Sequence, residues 1–499
     1  MPVVERLRTR NLDKLDPEVR RPAFDRRTSG LGIVHLGVGA FMRSHIAEYT
    51  DDALEAEHGD WTIAGVSLRS PDVRDRLAPQ DGLYILGSSD GTGERRRLIG
   101  SLSSMHVAPE NPQEVTGLLA DARVRVVTLT VTEKGYCLNP DSGELALDHP
   151  DIRHDLENKD RPRSTIGHLA AALQMRMENS VPPPTIVSCD NLPANGTRLR
   201  SAVLAFARER SSALEAWIGD SVGFPATMVD RIVPAVTDAD ISLNAEACNL
   251  RDEAYVKTEP FRQWVIEDAF SNGRPAWHAG GALFVANVAP FEAAKLRLLN
   301  GPHSAIAYLG YLAGFSFVHE AMGHPDFSTF IRRMMLRDIA PVAPEPDGMN
   351  HDIYIEQLLQ RFGNSALEHR TWQIAMDGSQ KLPQRILSTV RAQLEQGGPV
   401  ASLCLVVAAW MRYALGRDEQ GRQIDVSDPL ADRFAAIAAG TSKDPANLAD
   451  RFLEIREIFG VDLPQDRRFR STVTESLRQL FEYGALETVT RFVRSGNGA

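Results

Sequence analysis

The segment GIVHLGVG, residues 32–39, constrains this chain more than any other. A continuous apolar run that stops at two glycines reads as a buried strand ending in a tight turn. The residues that follow, FMRSHIAEYTDDALEAEHG (41–59), have helical periodicity, and WTIAGVSL (61–68) is strand-like again. Strand, turn, helix and strand in that order open a βαβ unit with parallel strands. Further strand-like runs are RVRVVTLTVT (123–132), PTIVSCDN (184–191) and FPATMVDRIVP (224–234), bounded by turn residues and separated by helical stretches. Runs that are apolar throughout predict a parallel sheet covered on both faces. The distances between them exceed a minimal crossover, so insertions are expected, the Tyr84–Met105 segment among them.

The texture changes after Pro290. Helix-compatible stretches such as FEAAKLRLLN, HSAIAYLGYLAG, VASLCLVVAAWMRYAL and ADRFLEIREIFG dominate, and strand candidates nearly vanish. At 499 residues the chain is too long for one ordinary core. The expected architecture is therefore α/β: a Rossmann-type N-terminal domain with insertions over 1–288, then a mostly helical domain over 289–499.

Composition narrows the function classes. Hydrophobic residues make up 43% and charged residues 24%, a globular profile. A formal net charge of −11 argues against a protein that lives on nucleic acid or an anionic membrane, while allowing a local basic pocket. Cys137, Cys189, Cys248 and Cys404 form no CxxC pair, so disulfide scaffolding and structural zinc are poor readings. The charged opening MPVVERLRTRNLDKLDP is not a secretory signal, and the longest apolar stretch, Pro399 to Met411, suits a buried helix rather than a membrane span. A cytoplasmic chain is expected, and one large enough to act as a monomer.

Gly37 and Gly39 stand where a dinucleotide fingerprint places its first two glycines. The first permits the tight turn, and the second lets the backbone approach a pyrophosphate held by helix N–H groups. Met42 occupies the third glycine position, so a plain structural turn is the other reading. The second strand ends Ser67-Leu68-Arg69, without the carboxylate that commonly binds the adenosine ribose. Arg69 is either a partner for a 2′-phosphate or a solvated loop arginine.

The stretch KLRLLNGPH, residues 295–303, concentrates polar chemistry. On an uninterrupted helix Asn300 and His303 would occupy neighbouring faces, with Lys295 within reach. Pro302 instead suits the first turn of a new helix that Asn300 would cap. Alcohol oxidation needs a base, donors for the alkoxide and a hydride acceptor. A lysine of lowered pKa can be the base, asparagine amides can donate to the alkoxide, and a histidine can hold a neighbouring hydroxyl. A second asparagine, Asn191, ends a predicted strand at the sheet edge where α/β folds bind ligands. Each of these taken singly is equally at home as a helix cap or a solvated side chain. There is no HExxH, and His278, His303, His319 and His324 match no familiar zinc spacing, so metal-independent chemistry is expected.

The motifs GVGAFMRSH, TVTEKGY, SCDNLPANG, MVDRIVP, KLRLLNGPHS and DGSQKLPQR, in this order, resemble those of the mannitol dehydrogenase family, the polyol-specific long-chain dehydrogenases. The resemblance covers nearly the whole chain. It implies Lys295 as general acid and base, Asn191 and Asn300 as alkoxide stabilisers, and His303 as a substrate-positioning residue. It also implies Glu133 as a proton relay, Lys381 and Asp230 as substrate contacts, and Gly37, Gly39, Phe41 and Arg43 as the cofactor turn. The cofactor implied is NAD, with NADP left open by Arg69. EPFRQWVIEDAFSNGRP (259–275) and HRTWQIAMDGSQKLPQR (369–385) are similar to the fructuronate reductase branch, which interconverts D-fructuronate and D-mannonate. A sugar acid needs a cation for its carboxylate, and Lys134, Lys381 and Arg385 are the candidates. The rival readings are a mannitol or related polyol dehydrogenase, and a nucleotide-binding regulator without catalysis. The intact set of Lys295, Asn191, Asn300 and His303 speaks against the latter. The partner expected is a small molecule, with no obligate protein partner.

Overall fold

The structure, a computed structural model, describes residues 4–139, 142–440 and 444–495. Its contacts divide it into two compact units, Met1–Ala289 and Pro290–Ala499.

The described residues of the first unit form eleven strands: β1 (Leu31–Leu36), β2 (Thr62–Ser67), β3 (Tyr84–Ser89), β4 (Glu94–Ile99), β5 (Leu102–Val107), β6 (Val126–Leu129), β7 (Thr185–Ser188), β8 (Thr227–Asp230), β9 (Val256–Thr258), β10 (Gln263–Glu267) and β11 (Leu283–Val285). Five of them form a parallel sheet in the order β5-β2-β1-β6-β7. The chain winds outward through β2 and β5 on one side of β1, then returns to wind through β6 and β7 on the other. The reversal between β1 and β6 is a topological switch point, outside which α/β sheets bind ligands.

Alternation along β1 assigns its faces. Val34 and Leu36 pack with Ala64, Val127 and Ile186 under the helices Pro112–Ala120, Thr165–Glu178 and Asn195–Arg210. Ile33 packs with Ile63, Val126 and Val187 against Ile46, Tyr49 and Trp277 on the opposite face. Both faces are covered, as a β1 that is apolar except for the hydrogen-bonded His35 requires.

Two sequence expectations are corrected here. Tyr84–Met105 is not one insertion. β3 and β4 form an antiparallel pair extended by β9, but β5 returns to the main sheet as its edge strand. The 224–234 run does not join the parallel sheet either. β8 pairs antiparallel with β10, which pairs parallel with β11, in a separate three-stranded sheet.

In the second unit the described residues form helices and turns, without a named strand. The apolar run at 399–411 becomes the helix Ala401–Ala414, buried from Ser402 to Met411. It packs against Gly301–Leu312 and the long helix Arg467–Arg494, with Trp410 edge-on to Phe434 and Phe452, both at 5.5 Å. No helix of the described residues is long and apolar enough to cross a membrane.

Among the described residues three wide π-helical turns interrupt this unit: Leu296–Asn300, Met334–Ile339 and Pro383–Leu387. The first packs against the other two. Each closes with an i→i+5 bond, from Gly301, Ala340 and Ser388 N–H to the carbonyls of Leu296, Met335 and Pro383. Such turns recur at functional sites because the extra residue re-aims the side chains around it.

Candidate active site

At the carboxyl end of β1 the backbone turns sharply. Gly37 has φ +95°, and its N–H donates to the Val66 carbonyl at 2.9 Å. A Cβ at Gly37 would overlap the Thr130 carbonyl oxygen, so only glycine fits. The turn is braced from below. His35 Nδ1 lies 2.8 Å from Thr128 Oγ1, His35 Nε2 lies 3.0 Å from Thr130 Oγ1, and Thr130 Oγ1 donates to the Gly37 carbonyl at 2.8 Å. Burial pushes His35 down to about 3, so it is neutral at physiological pH.

Gly39 behaves differently. Its φ of −95° suits any residue, and a Cβ there would meet nothing nearer than the Gly37 carbonyl oxygen at 4.0 Å. The space above Gly39 is open, which is what a backbone approached by a pyrophosphate needs. Gly37 is thus required by the fold and Gly39 leaves room for a ligand. Phe41 stacks on His45 at 4.8 Å. Arg43 turns away into the fold, donating from Nη1 to the Ala254 carbonyl at 2.5 Å, with its guanidinium 5.7 Å from the Tyr84 ring centroid. Arg69 is exposed in the turn after β2.

The end of β7 carries Asp190 and Asn191. Asp190 accepts from Val131 N–H at 3.0 Å, Thr132 N–H at 2.9 Å and the Tyr136 hydroxyl at 2.7 Å. Burial raises its pKa, and the three bonds oppose that rise. These bonds hold Thr132 at φ +65°, a costly conformation for a β-branched residue, and present Glu133 and Lys134 on an exposed turn, Glu133–Tyr136. Asn195 ties the same edge to β8, donating to the Asp190 and Thr227 carbonyls at 3.0 and 2.9 Å. Asp230, buried, closes β8. The adjacent Arg231 is ion-paired with Glu48 and donates to the Glu259 carbonyl at 2.9 Å. Asp190 and Tyr136 escaped sequence reading. Their only signal was adjacency to Asn191 and Glu133.

In the second unit Lys295 is buried, 7% exposed, at the end of the helix Ala289–Lys295. The π turn Leu296–Asn300 follows directly, and Gly301–Leu312 continues the helix with Pro302 in its first turn. Neither sequence alternative holds as stated. The helix is not regular, yet it does not restart behind an Asn300 cap, since the Asn300 side chain makes no cap bond and its backbone is helical. The wide turn meets the needs of Pro302, which lacks the N–H of a regular α-turn. His303, 8% exposed, lies 4.6 Å from the Phe362 ring and 5.4 Å from the His369 ring. Its pKa falls well below the ordinary range, first through burial and then through the electrostatic influence of His369, Arg361, Arg385 and Lys295. His303 is therefore neutral, with one ring nitrogen donating and the other accepting.

Lys381 and Arg385 come from the helix Gly378–Leu382 and the π turn after it. Lys381 Nζ donates to the Met376 carbonyl at 2.5 Å and lies 3.9 Å from Asp377. Burial and the neighbouring Arg385 lower its pKa. Among the described residues Arg385 has no carboxylate partner. Its one hydrogen bond is a long one, Nη1 to Ser304 Oγ at 3.4 Å, and burial lowers its pKa.

The switch point and the open glycine define a dinucleotide-binding protein of the dehydrogenase class, and a lysine, asparagine and neutral histidine suit the handling of a hydroxyl proton. Residues 31–279 match the model described as the mannitol dehydrogenase Rossmann domain, and residues 287–481 match the mannitol dehydrogenase C-terminal domain. The D-mannonate oxidoreductase of Escherichia coli (strain K12) is 44% identical over 475 residues, spanning 94% of this chain and 97% of that protein. A mannitol 2-dehydrogenase of Phaeosphaeria nodorum is 39% identical over 98% of this chain and 86% of its own length. The Pseudomonas fluorescens mannitol 2-dehydrogenase, solved as a ternary complex with NAD and D-mannitol, is 38% identical, covers 98% of this chain and 99% of its own, and superposes with a TM-score of 0.82. The chain belongs to the mannitol dehydrogenase family. It is an NAD-dependent oxidoreductase of the polyol and sugar-acid class.

Proposed function

We propose that the protein interconverts D-fructuronate and D-mannonate. The observation that carries this reading is Arg385, a half-buried guanidinium that acts on His303 and has no carboxylate partner among the described residues. Lys295 serves either kind of substrate, but a neutral polyol has no use for the Arg385 charge, whereas a sugar-acid carboxylate does. Arg385 offers a planar guanidinium, the geometry that takes a carboxylate through two parallel bonds, and its hydrogen bond among the described residues is the long one to Ser304 Oγ. The 44% identity to a D-mannonate oxidoreductase supports the same branch.

NAD supplies the hydride acceptor in oxidation and, when reduced, the donor. In oxidation Lys295 takes the proton of the reacting hydroxyl, and in reduction it returns a proton to the oxygen of the former carbonyl. The Asn300 amide donates to that oxygen while it is negative, without a change of its own charge. His303, neutral, donates to one neighbouring hydroxyl or accepts from it. Asn191 is assigned the second alkoxide donor, and Glu133 the relay that exchanges the lysine proton with water. Asp230 is assigned a substrate hydroxyl, and Lys134 and Lys381 are secondary to Arg385 for the carboxylate.

Arg385→Ala tests the reading. The KM for D-fructuronate should rise at least about tenfold, the loss of one charge-assisted pair, while the KM for D-fructose stays within about twofold. Equal effects on both substrates would remove Arg385 from the carboxylate. The second reading is a mannitol 2-dehydrogenase, favoured by the 38–39% matches that span nearly the whole chain. It predicts D-fructose as the better substrate of the unaltered protein.

A further inference from the structure

We infer that the adenosine end of the dinucleotide site accepts a 2′-phosphate, so that the protein binds NADP(H) as well as NAD(H). The inference rests on the family-level cofactor reading and adds a specificity to it. β1 and β2 run side by side, with Leu36 level with Val66, and the Gly37 N–H bonded to the Val66 carbonyl at 2.9 Å. The residues just beyond β2 are therefore the first side chains past the glycine turn on that side, the position from which this fold reads the ribose.

In the NAD-selective arrangement a carboxylate there accepts from the 2′-hydroxyl and repels a 2′-phosphate. Ser67, Leu68, Arg69 and Ser70 supply no carboxylate. The first acidic residue, Asp72, is engaged by the Ser70 hydroxyl at 2.9 Å. Arg69 is exposed and makes no hydrogen bond or ion pair among the described residues.

A second observation points the same way. A cavity of about 580 Å³ opens at the carboxyl ends of β2 and β5, floored by Leu68, Ala108 and Pro109 and bordered by Arg161 and Arg163. Among the described residues no carboxylate lines it. His168, also in its wall, is pushed down to about 4 by burial and carries no charge at neutral pH. Three nearby acids are engaged elsewhere, Glu110 by Arg74, Glu114 by His106 at 2.7 Å and Asp155 by the Ser164 hydroxyl at 2.6 Å, and Asp160, next to Arg161, is not part of the lining. The guanidinium groups of Arg161 and Arg163 have no partner among the described residues. An apolar floor suited to a flat base, edged by two guanidinium groups and with no carboxylate in its lining, fits an adenosine that bears a phosphate.

The experiment is equilibrium calorimetry on the purified full chain with NADH, NADPH and 2′,5′-ADP, for the unaltered protein, Arg69→Ala and Arg69→Glu. The expected result is an NADPH dissociation constant within about tenfold of that for NADH. Arg69→Ala should weaken NADPH and 2′,5′-ADP about tenfold, and Arg69→Glu more, while NADH changes less than about twofold. Raising salt should weaken NADPH more than NADH, since the exposed arginine is screened. NADPH binding more than tenfold weaker than NADH in the unaltered protein would overturn the inference, as would equal losses for both dinucleotides in the variants. Failure of NADH itself to bind would instead strike the cofactor reading, and the inference with it.

Discussion

Gly37 and Gly39 stand two residues apart in one turn, yet replacing each by alanine should do opposite things. At Gly37 a methyl group meets two obstacles, a φ of +95° and the Thr130 carbonyl. The first costs about 1–2 kcal/mol and the overlap about 1–3 kcal/mol more, so Gly37→Ala should lose roughly 2–5 kcal/mol of unfolding free energy. At Gly39 the backbone is extended and the space above it open, with nothing nearer than 4.0 Å. Reduced freedom of the unfolded chain favours alanine by about 0.4–1 kcal/mol, and the poorer helix cap opposes it by about as much. Gly39→Ala should therefore keep its stability within about 1 kcal/mol. Its methyl group, however, occupies the pyrophosphate approach, so NADH should bind at least about tenfold more weakly. Urea denaturation measures the first effect and calorimetry with NADH the second. A Gly39→Ala protein that binds NADH normally would refute the placement of the pyrophosphate over this glycine, whatever its stability.

Lys295→Ala should lower kcat by about a hundredfold or more, the scale of a lost acid–base group, with NADH affinity unchanged. Comparable turnover in the variant would remove Lys295 from the proton transfer. Asp190→Ala leaves the Val131 and Thr132 N–H groups without an acceptor, while the Tyr136 hydroxyl keeps Ser188 Oγ at 2.5 Å, and should cost about 2–3 kcal/mol in urea denaturation, with Asp190→Asn milder. An Asp190→Ala protein as stable as the parent would show that the clamp does not hold the turn. His35 gives a pH signature. Its folded pKa of about 3 lies below the unfolded value near 6.5, so the unfolded chain binds the extra proton and stability falls as pH falls through that window. Between pH 7.5 and 5.0 this group alone should remove about 2 kcal/mol, and the stability difference between the parent and His35→Asn should narrow by that amount. A pH-independent difference would mean that His35 is not held neutral.

The parts of this protein legible in its sequence are those fixed by near neighbours. The run GIVHLGVG becomes β1 and its turn because a strand apolar nearly throughout must be covered on both faces and Gly37 must take a positive φ. The run at 399–411 becomes a buried helix for the same kind of local reason. What was not legible depends on distant partners. β5, LSSMHV, sits at the sheet edge with Ser103 exposed and only its two ends fully buried, so it lacks the apolar continuity of an inner strand. β8 has that continuity, but nothing in its sequence says that its neighbour is β10, antiparallel, rather than β7. Residues of the site followed the same division. The glycines and the 295–303 stretch announce themselves locally. The clamp from Asp190 to Tyr136 spans 54 positions, and the brace from His35 to Thr130 spans 95. The π turn was hidden because Pro302 signals an irregularity without specifying its form.

The measurement that bears most directly on the central claim is the NADH-dependent reduction of D-fructuronate and D-fructose by the purified protein, compared as kcat/KM. A positive site built around Lys295, His303 and Arg385 predicts that D-fructuronate is favoured by at least about tenfold, with D-mannonate as the product. Faster turnover of D-fructose, or equal use of the two, would contradict the sugar-acid assignment and leave the protein with the mannitol-type members of its family.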